Sequence, residues 1–322
     1  MSVDSRSYKP PLLFKNGHVN TIYRTLFLNY PIEYQRKRIT TPDRDFLDLD
    51  FSTVNSDKIV ILIHGLEGSS GSKYILSTAG HLNKKGYDIV SVNQRSCSGE
   101  PNLTLGTYHS GKTDDLETVI RFIEKNYTYK QIFLAGYSLG GNQILKYLGE
   151  KGNAIRSKIR AAVTVSVPCD LEGSSQALAR FTSKLYMERF LKTLKVKTLE
   201  KMEKFPDSGL DKELIINAKN FYDFDNAVTA PVFGYKNAQD YWRKNSSKGF
   251  IPEISIPALL ITALDDPFLN KSCYPVKEAG ENPYFNLEIN RFGGHVGFNI
   301  HHTTEKNIWM ENRILQFFDN LR

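Results

Sequence analysis

The chain is 322 residues long, is 24% charged and 40% hydrophobic, and carries a formal net charge of +7. This composition is typical of a globular protein and argues against a disordered one. The longest purely aliphatic run, Ile59–Ile63, is far too short to span a bilayer, and no arginine-rich tract or basic run with interleaved aromatic residues indicates a nucleic-acid partner.

The N-terminus and the cysteines both indicate a cytoplasmic protein. Residues 1–20 lack the long apolar core and the small-residue cleavage site of a signal peptide. Cys97, Cys169 and Cys273 are odd in number and widely spaced, and they show neither a C-x-x-C metal pattern nor a disulfide framework. We therefore expect reduced thiols in a reducing compartment.

The chain before residue 58 is predicted to hold an irregular lead-in followed by two strands. Residues 1–33 are interpreted as an irregular, moderately basic lead-in, because Pro10-Pro11 blocks regular structure and Asn16-Gly17 is a turn signal. Apolar and polar residues then alternate over Glu33–Ile39 and Phe46–Ser52, which predicts two strands joined by a turn.

From Lys58 onward, predicted strands alternate with predicted helices. Continuous apolar runs indicate strands covered on both faces, and apolar residues three and four apart indicate helices. The strands are predicted at Ile59–Ile63, Tyr87–Asn93, Ile132–Ala135 and Arg160–Val167, and the helices at Ser72–Gly86, Thr113–Glu124 and beyond Asn142. Repeated βα units predict a mostly parallel sheet with helices on both faces.

The alternation stops after Pro168 for about eighty residues. Residues 171–250 are predicted to be helical, without buried strands. A helical insertion late in a parallel sheet is the layout of a cap over an active site, so we expect residues 171–250 to form a cap on a core of residues 1–170 and 251–322. The elements predicted after the insertion are strands at Ile256–Ala263 and Tyr284–Asn290 and a final helix at Glu305–Leu321.

The predicted cap contains a basic amphipathic segment. Leu178–Lys204 holds eight basic residues against three acidic ones. Some helices of this kind lie on a membrane or a partner, whereas more of them present a charged face to water. Both interpretations stay open, so peripheral contact with lipid through the basic cap is kept as a hypothesis.

The central functional pattern is Gly136-Tyr137-Ser138-Leu139-Gly140, which lies between a predicted strand and a predicted helix. A serine on such a turn is the nucleophile elbow of G-x-S-x-G hydrolases. Larger residues at positions 136 and 140 are expected to collide with neighbouring backbone. The pattern alone is weak, since about one chain in ten of this length carries it by chance.

A serine nucleophile needs a base and a group that orients the base, and in hydrolases with this elbow they follow in the order serine, acid, histidine. Asp266 comes shortly after the strand predicted to end at residue 263, and His295 lies in a glycine-rich loop after the next strand. Asp265 is the alternative acid. His301 and His302 are interpreted as surface residues.

Two backbone amides are predicted to bind the oxyanion. Leu139 follows the nucleophile at a helix N-terminus, and Leu66 lies in the loop after the Ile59–Ile63 strand. His64 is expected to orient that loop. The histidines lack metal-ligand spacing, and no G-K-[ST] follows Gly65–Gly71, so neither a metal nor an organic cofactor is expected.

Six motifs resemble the YheT-like α/β-hydrolases, over nearly the whole chain. They are HGLEGSSGS (64–72), NQRSCSGEPN (93–102), YHSGKTD (108–114), GYSLGGN (136–142), DDPF (265–268) and GGHVGF (293–298). Relatives of that family include plant embryogenesis-associated hydrolases, yeast medium-chain acyl ester synthases and mammalian abhydrolase-domain lipases. The resemblance implies a nucleophile at Ser138, an acid at Asp266 and a histidine at His295. The chain departs from the family at Ser96, where glycine is usual.

We therefore expect an α/β-hydrolase fold and a serine esterase that cleaves carboxylic esters through an acyl-enzyme intermediate. The resemblance implies acyl esters, short- to medium-chain or lipid-like, as the small-molecule substrates. Two alternatives are an alcohol acyltransferase with the same triad and a non-catalytic module that binds a lipid or a partner. A complete triad in the correct order argues against the second alternative.

Overall fold

One eight-stranded sheet organises the chain in the computed structural model, which describes residues 8–321. Its spatial order is β1-β2-β4-β3-β5-β6-β7-β8. Strand β2 runs antiparallel to β1 and β4, and the other neighbours pair in parallel. The strands are β1 (Gln35–Thr40), β2 (Phe46–Ser52), β3 (Lys58–Ile63), β4 (Asp88–Asn93), β5 (Gln131–Tyr137), β6 (Ile159–Val165), β7 (Ala258–Ala263) and β8 (Phe285–Asn290).

Helices cover both faces of this sheet and fill the long connection between β6 and β7. The α-helices are α1 (Gly17–Phe27), α2 (Lys73–Asn83), α3 (Thr113–Asn126), α4 (Leu139–Lys151), α5 (Leu171–Leu178), α6 (Lys184–Lys204), α7 (Lys212–Asn217), α8 (Phe221–Phe224), α9 (Ala230–Phe233), α10 (Ala238–Asn245), α11 (Val276–Glu281) and α12 (Trp309–Asp319). In residues 8–321 no helix is both long enough and apolar enough to cross a membrane.

Successive residues of the central strands point into two separate cores, because side chains alternate across a strand. In β3, Ile59 and Ile61 pack in a core with α3 and α4. Val60 and Leu62 pack in a second core with α2 and α12. The predicted α/β-hydrolase fold, with a mostly parallel sheet between two layers of helices, is confirmed.

The carboxyl ends of the parallel strands meet at one edge of the sheet. Strand β3 lies between β4 and β5, so the strand order reverses around it. In open α/β sheets, ligands bind in the crevice beyond the carboxyl ends at such a reversal. The loops that follow β3, β5, β7 and β8 all leave from this edge, and these loops carry the residues predicted for catalysis.

The interpretation of residues 1–33 as an irregular lead-in is wrong for residues 17–27, and its first seven residues lie outside the described range. Helix α1 occupies Gly17–Phe27. The Asn16 side chain, taken as part of a turn signal, accepts hydrogen bonds from the backbone N–H groups of His18 and Val19 and caps the helix. Arg24 anchors α1 through a buried ion pair with Glu311 of α12.

Residues 171–250 hold helices α5 to α10 and, within the described part of the chain, no strand. Whether they form a separate cap domain stays a prediction. The final helix begins at Trp309, later than the predicted Glu305. The preceding loop is held by the Asn307 side chain, whose Oδ1 accepts hydrogen bonds from the backbone N–H groups of Ile300 and His301.

Candidate active site

Ser138 lies at a sharp turn between β5 and α4. Its φ of 52° and ψ of −120° define a backbone conformation that residues other than glycine rarely adopt. The residue precedes the first residue of α4, so the N-terminus of that helix lies beside it. Strained backbone of this kind is concentrated at functional sites, and the turn has the form expected of a nucleophile elbow.

The flanking glycines are required by close packing of the backbone. A Cβ at Gly136 would lie 2.7 Å from the carbonyl oxygen of Gly140. A Cβ at Gly140 would lie 2.5 Å from the carbonyl oxygens of Ile63 and His64. The steric expectation for both positions is confirmed.

Gly140→Ala is expected to lower the free energy of unfolding by about 1–3 kcal/mol, because the added methyl group must push against backbone rather than a mobile side chain. Gly80→Ala in α2 is the matched control, since a Cβ there meets nothing within 4 Å. We expect it to be neutral or to stabilise by up to about 1 kcal/mol. Urea denaturation measures both changes, and a Gly140→Ala variant as stable as the Gly80→Ala variant would contradict the steric account.

His295 and Asp266 are brought together by the loops that follow β8 and β7. The Nδ1 of His295 lies 2.9 Å from Oδ2 and 3.1 Å from Oδ1 of Asp266. Asp266 is 4% exposed, and its Oδ1 also accepts a hydrogen bond of 2.9 Å from the backbone N–H of Phe268. The Phe268 ring stacks on the imidazole with 4.1 Å between ring centroids. The imidazole is therefore fixed on one side by a carboxylate and on one face by an aromatic ring.

Asp265, the alternative acid, has a different environment. Its Oδ1 accepts a hydrogen bond of 2.9 Å from the backbone N–H of Gly294. Burial raises the pKa of Asp265 to about 6, and the neighbouring Asp266 contributes in the same direction. The geometry thus pairs Asp266 rather than Asp265 with the imidazole of His295.

The loop after β3 packs directly against Ser138. A Cβ at Gly65 would lie 3.1 Å from the Cβ of Ser138. The next residue, Leu66, lines the same cavity as Ser138, Leu139 and His295. Leu139 is the first residue of α4, where backbone N–H groups have no partner within the helix. The structure therefore brings together all five residues predicted for catalysis.

His64 holds the Gly65–Leu66 peptide in place. Its Nε2 accepts a hydrogen bond of 3.1 Å from the backbone N–H of Gln94, so Nδ1 carries the proton and donates to the carbonyl oxygen of Gly65 at 2.7 Å. Burial lowers the pKa of His64 to about 4, which keeps the ring neutral at neutral pH. Because the Gly65 carbonyl and the Leu66 N–H belong to one peptide plane, this contact orients the predicted oxyanion donor.

Glu67 ties the same loop to helix α6. Its backbone is in the left-handed region, with φ of 55°. The Tyr108 hydroxyl donates to Oε1 of Glu67 and accepts from its backbone N–H, both at 2.7 Å. The Nζ of Lys197 in α6 lies 2.8 Å from Oε2. This link was not predictable from the sequence, because its partners are 130 residues apart.

Two further residues missed by the sequence analysis hold the histidine loop. The backbone N–H of His295 donates to Oγ1 of Thr21 in α1, and that of Val296 donates to Oγ of Ser166, each at 2.9 Å. Ser166 directly follows β6 at the carboxyl edge of the sheet, and this position was the one feature of the sequence that could have indicated a role near the site. Thr21 was hidden because α1 itself was not predicted.

A cavity of about 540 Å³ extends from Ser138 between the sheet and the helices that connect β6 to β7. Its wall is largely apolar and aromatic. The side chains that those helices contribute include Tyr186, Phe190, Phe224, Val228, Phe233 and Trp242. Concave, mostly apolar cavities with a few convergent polar groups are typical of small-molecule sites.

No group of three or more His, Cys, Asp or Glu side chains in residues 8–321 is placed to hold a metal ion. The three cysteines are free thiols.

Comparisons with known proteins show the family of the chain. Residues 58–284 match the alpha/beta hydrolase fold family. The putative esterase YheT of Escherichia coli is 32% identical over 318 residues, which cover 96% of this chain and 92% of the relative. Human phospholipase ABHD3 is 31% identical over 307 residues, which cover 92% of this chain and 74% of the relative.

The esterase Pf2001 of Pyrococcus furiosus superposes with a TM-score of 0.57 at 19% sequence identity, over 97% of this chain and 99% of that structure. At this identity the match supports the fold alone. The sequence relatives place the chain more narrowly. The chain therefore belongs to the α/β-hydrolase fold family and, within it, to the YheT-like carboxylic ester hydrolases.

Proposed function

We propose that the protein cleaves acyl esters through a covalent ester on Ser138, with His295 as general base and Asp266 as the carboxylate that orients it. The observation that carries the proposal is the two-oxygen contact between Asp266 and Nδ1 of His295, whose side chain lines the same cavity as Ser138. A carboxylate on Nδ1 keeps the proton there and leaves Nε2 free to accept the serine proton.

The proposed reaction has two steps. His295 removes the proton of the Ser138 hydroxyl as its oxygen attacks the ester carbonyl, and the protonated imidazole then gives that proton to the departing alcohol. His295 then removes a proton from water as the water oxygen attacks the acyl-enzyme, and the protonated imidazole returns that proton to the Ser138 oxygen as the acid leaves. The N–H groups of Leu66 and Leu139 bind the oxyanion in both steps, and the close contact of Gly65 with Ser138 supports this assignment.

The proposed substrates are short- to medium-chain or lipid-like acyl esters. The aromatic and aliphatic wall of the cavity supports an apolar acyl group, and one relative is named a phospholipase. Acetylcholine-sized esters would leave much of such a cavity unfilled, whereas a longer chain would exclude water from it. A cytoplasmic location belongs to the same proposal and rests on the separated cysteines.

A series of p-nitrophenyl esters from acetate to palmitate tests this function. We expect kcat/KM to rise from acetate to the medium-chain esters by up to about fourfold per added methylene group, since each buried CH₂ contributes about 0.8 kcal/mol. A value that stays flat or falls from acetate onward would contradict an apolar acyl site.

The same assay separates the two alternatives. With ethanol or glycerol added, a hydrolase releases mainly free acid, whereas an alcohol acyltransferase forms a new ester. A folded protein that turns over none of these esters would instead favour the non-catalytic binding module.

A further inference from the structure

Large apolar side chains are exposed on two short stretches of the chain. They are Leu12, Leu13, Ile22, Leu26 and Phe27 in and just before α1, and Phe181 and Leu185 just before α6 and in its first turn. We call these seven side chains the mouth face. Phe181 is 92% exposed, Leu185 80% and Leu26 63%. Single exposed apolar residues are ordinary, but a concentration on neighbouring elements marks an interaction surface.

The two stretches are held next to each other. The ring of His18 in α1 stacks on Tyr186 in α6, and its Nδ1 lies 3.2 Å from the Tyr186 hydroxyl. Both stretches also rest on the turn after β7. A Cβ at Gly17 would lie 2.0 Å from the carbonyl oxygen of Asp265, and Oγ of Ser183 donates to the carbonyl oxygen of Pro267 at 2.7 Å.

The cavity opens between these stretches. Ile22 and Leu26 of α1 line the cavity, and so do Arg189 and Thr193 of α6. All four are exposed to solvent as well, which places the entrance between the two helices. Part of the mouth face therefore forms the rim of the entrance to the cavity that holds Ser138.

The charge around the entrance is positive. Residues 8–32 contain no aspartate or glutamate. Just before α6 and in its first turns the exposed basic residues are Arg180, Lys184, Arg189 and Lys192, against the single acid Glu188. Lys and Arg side chains close to an anionic membrane are attracted to its negative surface potential. A rim with apolar side chains and surrounding positive charge is complementary to a lipid surface that carries anionic headgroups.

We propose that the mouth face docks on an anionic lipid surface, with the cavity entrance turned toward the lipid. The inference rests on the proposed ester hydrolysis, because it supplies lipid-like esters directly to the cavity. A folded protein seated on the same side chains would cover the entrance and exclude the substrate. A lipid surface covers the apolar side chains and is at the same time the source of the ester.

Vesicle binding tests the docking face. The Ser138→Ala variant is used as the background so that lipid is not consumed, and cosedimentation is measured with phosphatidylcholine vesicles, with and without phosphatidylglycerol. We expect binding that strengthens with phosphatidylglycerol. Adding Phe181→Ser and Leu185→Ser should weaken it by at least about tenfold, because both side chains would enter the interface.

The matched control adds Val54→Ser and Tyr284→Ser, which also remove exposed apolar groups. These residues precede β3 and β8 and so lie at the opposite edge of the sheet. We expect the control to bind vesicles like its background. The proposal would be overturned if both double substitutions weakened vesicle binding equally, or if the Ser138→Ala background did not bind vesicles. Concentration-dependent self-association abolished by Phe181→Ser/Leu185→Ser, without vesicle binding, would assign the face to a second copy of the chain.

Catalysis is measured separately with a dissolved ester. In the background that retains Ser138, Phe181→Ser/Leu185→Ser should leave the turnover of p-nitrophenyl butyrate unchanged, since neither side chain lines the cavity. Loss of vesicle binding with normal turnover supports the docking face. If the protein binds vesicles but its wild-type form hydrolyses none of the esters, the proposed hydrolysis is overturned and the proposed lipid contact is retained.

Discussion

Replacing Ser138 with alanine is expected to lower kcat for a p-nitrophenyl ester by about 10⁴–10⁶-fold. The Ser138 Oγ is the atom that forms the acyl-enzyme bond, and no neighbouring group replaces it in the proposed mechanism. The fold should remain intact, because the strain at this position lies in a backbone conformation that alanine shares with serine. The measurements are kcat with a medium-chain ester and thermal unfolding.

Ser175→Ala is the matched control, since this serine lines the same cavity from α5. We expect it to lose less than about tenfold in kcat, which is far from the effect of removing a nucleophile. A fluorophosphonate should label the wild type and the Ser175→Ala variant at Ser138 and leave the Ser138→Ala variant unlabelled. Near-normal esterase activity in Ser138→Ala would exclude this serine as the nucleophile.

The sheet was predictable because its signal is local. Strands β3 and β5 are continuous apolar runs, and the elbow after β5 is defined by glycines two residues on either side of Ser138. Backbone crowding at these glycines is a property of the turn itself. The order of the proposed catalytic residues, Ser138, Asp266 and His295, is the chain order of hydrolases with this elbow.

Helix α1 was not predictable from the same reasoning, because its stability depends on distant residues. Pro10-Pro11 and Asn16-Gly17 indicate breaks when only neighbours are considered. In the structure, the amide Nδ2 of Asn299 donates to the backbone and side-chain oxygens of Asn20, 279 residues away. The buried Arg24–Glu311 pair adds a contact between residues 287 apart. Tertiary contacts of this kind outweigh local propensity.

The residues that line the cavity could not be predicted from the sequence, and the preference for Asp266 over Asp265 as the acid was weak. Periodicity shows that α6 has an apolar side but not which side chains reach the cavity, since that depends on long-range contacts such as Lys197 with Glu67. Asp265 and Asp266 are adjacent, so spacing favours one only weakly. The path of the backbone after β7 directs Asp266 to the imidazole and Asp265 to the loop at Gly294.

Asp266→Asn is expected to lower kcat by about 10⁴-fold. Oδ1 of Asp266 accepts the backbone N–H of Phe268, and Oδ2 lies 2.9 Å from Nδ1 of His295. An asparagine that keeps its oxygen on Phe268 presents its NH₂ group to Nδ1. Nδ1 must then accept a hydrogen bond, the ring proton moves to Nε2, and the imidazole can no longer take the proton of Ser138.

Asp265→Asn is the control at the adjacent position, and we expect kcat within about tenfold of the wild type because Asp265 does not contact the imidazole. Asp265→Asn is instead expected to change how the stability of the fold depends on pH. The pKa of Asp265 is raised to about 6, so the folded state holds this proton more tightly than the unfolded state does. Protonated Asp265 therefore stabilises the folded state fully at low pH, and this contribution to the free energy of unfolding is lost as pH rises through about 6. Asp265→Asn should remove this part of the decline in melting temperature with pH. If Asp265→Asn instead abolished turnover and Asp266→Asn preserved it, the two carboxylates would have to exchange roles.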